Sequence, residues 1–447
     1  MDHTPLVRIE VCIWTSPVSE PEAIFLLLNN CFLFDGKQIF GNAKILNSKT
    51  KRPLEIAGIP MADIFVKNET ATASGTLKHR FVWALTMWAV VEGKITSTST
   101  VYDSTSGNTG ASEAYMCRLI GVPYVAVVAK ELEEEKVRQI TQFGGQIMKP
   151  LSARGEILGK WAIDHISELT KVDVETRNYW AERMAAERGG CFINQFGNAN
   201  AAEDDHESGN YPLESTNVFH EIASQLKSRG FGLPHYFVHS AGTGGTISSV
   251  GKYITRYALP TRVLLADSQH SLYYDYVVYQ KYGNLSAGDE GRPGWAPPGI
   301  AGIGYGYNTA PIVFRRSTSL LRTVIDEVVR MPDTATVAAM RSLRGVLDID
   351  AGPSTALNFL VALFKAHAHS EGSEATSEKD RFSVVLIMGD PGRFYQSTYL
   401  NDTWVDSKMA RYGGMEAIRC WQAKIDEAIR SGRNFAENTC DISITSS

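Results

Sequence analysis

The sequence predicts an α/β protein of doubly wound architecture, with mostly parallel, twisted sheets and helices on both faces. Three observations carry that expectation. From about residue 60 onward, short continuous apolar runs alternate with segments of helical periodicity, and such runs are how buried parallel strands read. Small polar or Gly-rich loops join several of these runs to the helix that follows. The chain of 447 residues, 44% apolar, is long enough for one large body of two subdomains.

The elements can be justified in order. Thr100-Val101-Tyr102 is a β-branched and aromatic run, and a small-residue turn follows from Ser104 to Gly110. Ala111, Ala114, Tyr115 and Leu119 then share one helical face, and Gly121 stops that helix. Val122 to Val128 reads as a buried strand and completes a βαβ unit. The pattern repeats with a helix from about Leu132 to Phe143, Gly144-Gly145, and a strand over Gln146 to Lys149. It returns as strand Tyr236–His239, a Gly-rich loop, a helix to about Tyr257 and strand Arg262–Ala266. A last strand runs from Phe382 to Ile387. Polar or Gly/Pro-rich stretches at 200–215, 283–299 and 369–380 read as surface loops, and no internal repeat is present.

Composition excludes several classes of function. There are 44 basic and 49 acidic residues, a net charge of −5 with no basic block, which argues against a partner held by phosphate electrostatics. Cys12, Cys31, Cys117, Cys191, Cys420 and Cys440 form no C-x-x-C pair, so neither a zinc nor a redox motif is indicated. They are too sparse for a disulfide scaffold, and reduced thiols in a cytoplasmic protein are expected. The apolar stretch Ala23–Phe34 is broken by Asn29 and Asn30 and is too short to span a bilayer. The N-terminus lacks the basic region of a signal peptide.

Four segments carry chemistry. Lys78 follows the turn Ser74-Gly75-Thr76 and starts an apolar helical run. There the positive end of the helix dipole disfavours an ammonium and favours a nucleophilic amine. A lone lysine is nevertheless most often a solvated surface residue. Thr105-Ser106-Gly107-Asn108-Thr109-Gly110 joins a strand to a helix start, where amides and hydroxyls suit a carboxylate or serve as an ordinary cap. Ala241-Gly242-Thr243-Gly244-Gly245-Thr246 also joins strand to helix and suits a phosphate. A dinucleotide site is the rival there. Its third glycine would fall at Ile247, although Asp267 sits where a ribose-binding acid would. Gly389-Asp390-Pro391-Gly392-Arg393-Phe394-Tyr395 follows the last strand, at an edge where open α/β sheets bind ligands, or is a simple Gly/Pro turn.

In this order the four segments resemble the fold-type II pyridoxal-phosphate (PLP) enzymes of the cysteine synthase and cystathionine β-synthase superfamily. The likeness runs over about residues 55–405 and is strongest to the L-cysteine desulfhydrase branch. It implies two doubly wound subdomains and PLP as cofactor. Lys78 matches the Schiff-base lysine of the family's Asn-Pro-Thr-Gly-Ser-x-Lys-Asp-Arg segment. Thr105, Ser106, Gly107, Asn108 and Thr109 match the loop that grips the substrate carboxylate, and Asn108 the asparagine that contacts the cofactor's ring hydroxyl. Gly242, Thr243, Gly244, Gly245 and Thr246 match the phosphate loop. Gln195-Phe196-Gly197-Asn198 resembles the segment facing the substrate, Gly302-Ile303-Gly304 the loop near the cofactor, and Gly352–Ala356 a family helix start.

The sequence departs from the family at Thr72-Ala73, at His79 and at Pro391, which stands where a serine usually holds the pyridine nitrogen. Asp390 is expected to take over that contact. The likeness implies the division 1–45 as an N-terminal extension, 46–90 with 185–405 as the large PLP-binding domain, 91–184 as the small domain and 406–447 as a C-terminal segment. It implies a homodimer acting on a small amino acid, with no metal, nucleic acid or membrane. The expected reaction is β-elimination from a cysteine-like substrate. The alternative is a β-replacement synthase making a β-substituted alanine.

Overall fold

The computed structural model describes residues 4–12, 33–34, 37–38, 61–105, 107–128, 132–149, 173–198, 217–279, 299–304, 318–370, 381–436, 440 and 445–446. The stretch 200–215, and nearly all of 283–299 and 369–380, lie outside the described residues.

In chain order the elements are β1 Leu6–Cys12, β2 Leu33–Phe34, β3 Lys37–Gln38, β4 Met61–Asn68, α1 Lys78–Val91, β5 Val101–Ser104, α2 Asn108–Ile120 and β6 Tyr124–Val127. Then come α3 Glu134–Thr141, β7 Gln146–Met148, α4 Asp173–Arg188, β8 Cys191–Phe192, α5 Val218–Ser228, β9 Tyr236–Ser240, α6 Gly245–Arg256 and β10 Arg262–Ser268. The rest are α7 Tyr273–Tyr279, β11 Glu327–Met331, α8 Asp333–Leu347, α9 Pro353–Ser370, β12 Phe382–Met388, α10 Asp402–Lys408, α11 Gly414–Ser431 and β13 Thr445–Ser446. The strands anticipated around the chemistry-bearing loops are all present, with ends shifted by a residue or two.

Two sheets result. The larger has the order β13-β11-β10-β9-β12-β4-β1-β2-β3, and the smaller β7-β6-β5-β8. In the larger, β11, β10, β9, β12 and β4 are parallel. Antiparallel β1 and β13 flank that parallel block. The smaller sheet is parallel throughout. Apolar side chains on both faces explain the continuous apolar runs. On one face of the large sheet Val238, Leu264 and Leu386 pack with Leu343, Leu360 and Trp421 of α8, α9 and α11. On the other, Phe237, Leu265 and Ile387 pack with Phe219, Val250 and Tyr273 of α5, α6 and α7. Each such fully buried aliphatic or aromatic side chain contributes roughly 1.5–3 kcal/mol. The smaller sheet is covered by α1, α2 and α3 on one face and by α4 on the other.

The first 45 residues contribute β1, β2 and β3 to the large sheet. Arg8 forks onto the Asp63 carboxylate across the β1–β4 pair, at 3.0 and 3.1 Å. Deeper in, Lys67 and Arg80 meet Glu69 and Glu221. Lys67 Nζ lies 2.5 Å from Glu221, and Arg80 lies 2.6 Å from both Glu69 and Glu221. Thr4 completes the cluster, its amide donating to Glu221 at 2.7 Å and its hydroxyl to Glu69 at 2.6 Å. Burial opposes ionisation of Glu221, but Arg80 and Lys67 hold its carboxyl below the usual carboxylate range. Two cations and two anions thus compensate one another out of water.

The expectation of reduced cysteines is corrected in one place. Cys420 and Cys440 form a disulfide, with Cα atoms 6.1 Å apart, while Cys117 and Cys191 are free and buried. Cys420 lies on α11, and the chain past Gly432 brings Cys440 back beside it. Cysteine density along a sequence says nothing of such proximity. No described helix is long and apolar enough to cross a membrane.

Candidate active site

The parallel block of the large sheet and the small sheet each contain a point where the strand order reverses, and open α/β sheets bind ligands beyond the carboxyl ends of the strands at such a point. In the large sheet the chain moves outward from β9 through β10 to β11, while β12 and β4 lie on the other side. The reversal therefore falls between β9 and β12. Three candidate segments leave neighbouring strands there: Ala241–Gly244 after β9, Gly389-Asp390 after β12, and the turn to Lys78 after β4. With β12 between them, β4 and β9 stand roughly 10 Å apart, a separation of small-cofactor size. The Leu77 amide donates to the Gly389 carbonyl at 2.8 Å and fixes the start of α1 against the end of β12.

The loop after β9 turns its carbonyls backward. Ala241 O accepts from the Gly304 amide at 2.7 Å, Gly242 O from the Tyr273 hydroxyl at 2.7 Å, and Thr243 O from the Ser319 amide at 2.7 Å. Among the described residues the amides of Thr243, Gly244 and Thr246 have no acceptor. Gly244 is held at φ +85°, and a Cβ there would come 2.4 Å from Leu320 N. Gly302 stands directly behind, its carbonyl 2.4 Å from where a Gly242 Cβ would sit. A row of unpartnered amides at the N-terminus of α6 is a cradle for a phosphate group.

Lys78 is partly buried at the first position of α1. Its charge reaches two groups. Burial, and then Lys78, push His239 down to about 3, so that imidazole is neutral. Burial raises the Asp390 carboxyl, while Tyr395, Asn108, Lys136 and Lys78 pull it back. Asp390 Oδ2 accepts from the Tyr395 hydroxyl at 2.5 Å and from Asn108 Nδ2 at 2.7 Å. The buried Asp390 Oδ1 and Asn108 Oδ1 have no partner among the described residues. Unsatisfied buried oxygens of this kind point to a missing ligand.

The small sheet reverses between β5 and β8. The loop after β5 is drawn tight by Thr105, whose hydroxyl accepts from the amides of Gly110 at 2.8 Å and Gly107 at 3.3 Å. Asn108 and Thr109 open α2, and Asn108 ties this loop to Asp390 of the large unit. Ser106 lies outside the described residues. A hydroxyl chain links the two units again: His79 Nδ1 lies 3.1 Å from Ser74 Oγ, which lies 2.8 Å from Ser112 Oγ on α2. Gln195 is buried behind the loop, its Nε2 donating to Ser104 O at 2.5 Å.

The structure therefore gathers Lys78, Asn108, Asp390, Gly242–Thr246 and Gly302 at one edge, with Thr105, Gly107 and Thr109 joined through Asn108. Gln195 supports the loop from the rear. Sequence reasoning missed His239, Lys136 and Arg177, which donates to Thr105 O. None carries a local signal. The dinucleotide alternative fails on Asp267, which is buried at the end of β10 and accepts from the Tyr274 amide at 2.8 Å.

The family described as pyridoxal-phosphate dependent enzyme matches residues 49–377. A pyridoxal-phosphate dependent protein of Caenorhabditis elegans is 52% identical over 85% of this chain and 81% of its own length. An L-cysteine desulfhydrase of Mycobacterium tuberculosis is 31% identical over 77% of this chain and 80% of its own. Among solved structures, O-ureido-L-serine synthase shares the fold, with a TM-score of 0.56 and 22% identity over 76% of this chain and 87% of that one. The chain belongs to the family of pyridoxal-phosphate dependent enzymes, with the fold-type II architecture.

Proposed function

We propose that this enzyme is a carbon–sulfur lyase that removes the β-substituent of a cysteine-like amino acid as sulfide and, with one molecule of water, releases the remaining carbon skeleton as pyruvate and ammonia. One observation carries the site assignment: Lys78 and the 242–246 cradle leave strands that flank β12 at the same edge. The elimination rather than replacement outcome is supported by the desulfhydrase relative.

Gly242, Thr243, Gly244, Gly245 and Thr246 would hold the cofactor's phosphate, Asn108 its ring hydroxyl and Asp390 its ring nitrogen, with Lys78 as the covalent anchor. Bound there, the cofactor withdraws electrons from the substrate's α-carbon and makes the α-proton removable. The loop of Thr105, Ser106, Gly107 and Thr109 would receive the substrate carboxylate at the start of α2, the Thr105 and Gly107 amides themselves donating to Val127 O at 3.1 Å and to Thr105 Oγ1 at 3.3 Å. Lys78 Nζ, once the substrate has displaced it from the cofactor, would take the α-proton. His239 beside it is neutral and adds no competing charge. Asp390 keeps an oxygen without a partner among the described residues and would stand in for the hydroxyl that Pro391 cannot offer.

The proposal includes a homodimer in the cytoplasm. The Cys420–Cys440 disulfide is the feature that speaks for an oxidising compartment instead, and fractionation with thiol titration decides between them. For the reaction, purified protein is given cysteine alone, and O-acetylserine with sulfide. Sulfide and pyruvate from cysteine alone are expected. A new β-substituted amino acid without pyruvate identifies a replacement synthase. Lys78→Ala should abolish the visible absorbance of the lysine-linked cofactor and slow turnover by about 10²–10⁴-fold. Retention of both would refute the assignment of Lys78.

A further inference from the structure

Lys136 lies in the run Glu133-Glu134-Glu135-Lys136-Val137-Arg138, which reads as a charged surface helix. The structure buries it, leaving 5% of its side chain exposed. Its methylenes run beneath the substrate loop: a Cβ on Gly107, held at φ +137°, would lie 2.9 Å from Lys136 Cδ and 3.0 Å from Cγ. Its ammonium stands 5.0 Å from the Tyr395 ring centroid and 3.4 Å from Glu133 Oε2. Tyr395 in turn donates to Asp390, the carboxylate that Asn108 also holds. The same helix is fastened to the same turn by Ser397, whose hydroxyl donates to Glu135 at 3.0 Å.

A buried ammonium is costly unless an anion compensates it. Glu133 is one-quarter exposed, so water screens it, whereas Asp390 is 2% exposed. The substrate loop itself carries no charge. Asn108 binds it directly to Asp390, so an incoming carboxylate meets a negative field in a low-dielectric setting. Lys136 and Lys78 are the two cations whose charge reaches Asp390. With Lys78 committed to the cofactor, Lys136 is the one that stays in place beside the loop. Without it Asp390, even with the ring nitrogen as partner, would repel the carboxylate more strongly or hold a proton and weaken as the acceptor for Asn108. Both outcomes impair the loop.

We propose that Lys136 is the cation that makes the Thr105–Thr109 loop a carboxylate site, offsetting Asp390 across the Tyr395 ring and selecting substrates with a free α-carboxylate over their amides. It is a specificity-determining and positioning residue. The inference rests on the assignment of that loop to the α-carboxylate given under the proposed function.

The test uses the holoenzyme and two ligands without a β leaving group, L-alanine and L-alaninamide, titrated by the shift in the bound cofactor's visible absorbance. The wild-type protein prefers L-alanine. In Lys136→Met and in Lys136→Gln the preference falls by about tenfold, through weaker binding of L-alanine alone, as expected for loss of a desolvated charge. Lys136→Arg keeps most of it. If Lys136→Met does not fold, Lys136→Gln carries the same measurement with a polar side chain. A preference unchanged in Lys136→Gln, or an equal weakening of both ligands, overturns the inference and leaves the loop assignment standing. A wild-type protein that does not distinguish the two ligands overturns the loop assignment itself, and this inference with it.

Discussion

The two reversals of strand order are furnished with different materials. Between β9 and β12 of the large sheet the groups on offer are mainly backbone, namely the amides of Thr243, Gly244 and Thr246 with their carbonyls tied off behind. Between β5 and β8 of the small sheet the loop is held by buried side chains. Thr105 draws in two amides, Gln195 and Arg177 hold the carbonyls of Ser104 and Thr105, and Asp103 sits beneath, accepting from the Gln195 amide at 3.4 Å. Asp103 and Glu113 form a fully buried acid pair, and Tyr124 donates to Glu113 at 2.5 Å. A backbone site is rigid and recognises an anion whatever its attachment. A side-chain site depends on protonation states and on contacts made elsewhere in the fold.

The largest test of this contrast is the joint between the two regions. Arg80 lies two residues beyond Lys78 and packs into the ionic cluster with Glu69, Glu221 and Thr4. Arg80→Met leaves two buried carboxylates short of a partner and should cost about 3–5 kcal/mol of unfolding free energy in a denaturant titration. A loss of about 0–1 kcal/mol, the worth of an exposed pair, would show that the cluster does not anchor α1.

Gly244→Ala attacks the backbone site alone. The left-handed conformation and the contact with Leu320 N should add about 1–3 kcal/mol of strain. Cofactor affinity, read by equilibrium dialysis, should fall accordingly. The preference for L-alanine over L-alaninamide, a property of the other region, should survive in protein saturated with cofactor. If it falls in step, the two regions are not separable.

The smallest effect is the share of the pH dependence that the side-chain site contributes, beside that of the raised Asp267 and Asp333 in the large unit. Burial raises Asp103 to about 6, and burial with the neighbouring Asp103 raises Glu113. A raised carboxyl keeps its proton in the folded state after the unfolded chain has lost it. Its contribution is therefore complete below the ordinary carboxylate range and is lost as pH rises through about 6. The pair's contribution to the unfolding free energy should decline over that window by at most about 1.4 kcal/mol per pH unit for each proton involved, read as the difference between the wild-type protein and the Glu113 variant. Glu113→Gln should flatten the slope, and an unchanged slope would place its origin elsewhere.

These differences also explain which features are legible in the sequence. The cradle after β9 was legible because its requirements are local: a strand, glycines where a Cβ cannot fit, then a helix start. Lys78 was legible only through the company it keeps. Lys136 was not, since a lysine among three glutamates looks solvated until Gly107 and Tyr395 are seen to cover it. His239 reads as one more strand residue, and Arg177 as one more helix residue. The thiols misled for the same reason, because Cys420 and Cys440 meet only through the path of the chain beyond α11.

By itself the sequence determined the alternation of strands and helices, the parallel sheets and the glycine-bearing anion loop, since periodicity and backbone sterics act over a few residues. Only the tertiary structure decided that β1 belongs to the large sheet and which reversal each loop serves. It alone decided which buried charges face one another. Those outcomes depend on groups as much as 282 residues apart, as Asn108 and Asp390 are. Desolvation and Coulomb energies are set by distance in space, which no local pattern encodes.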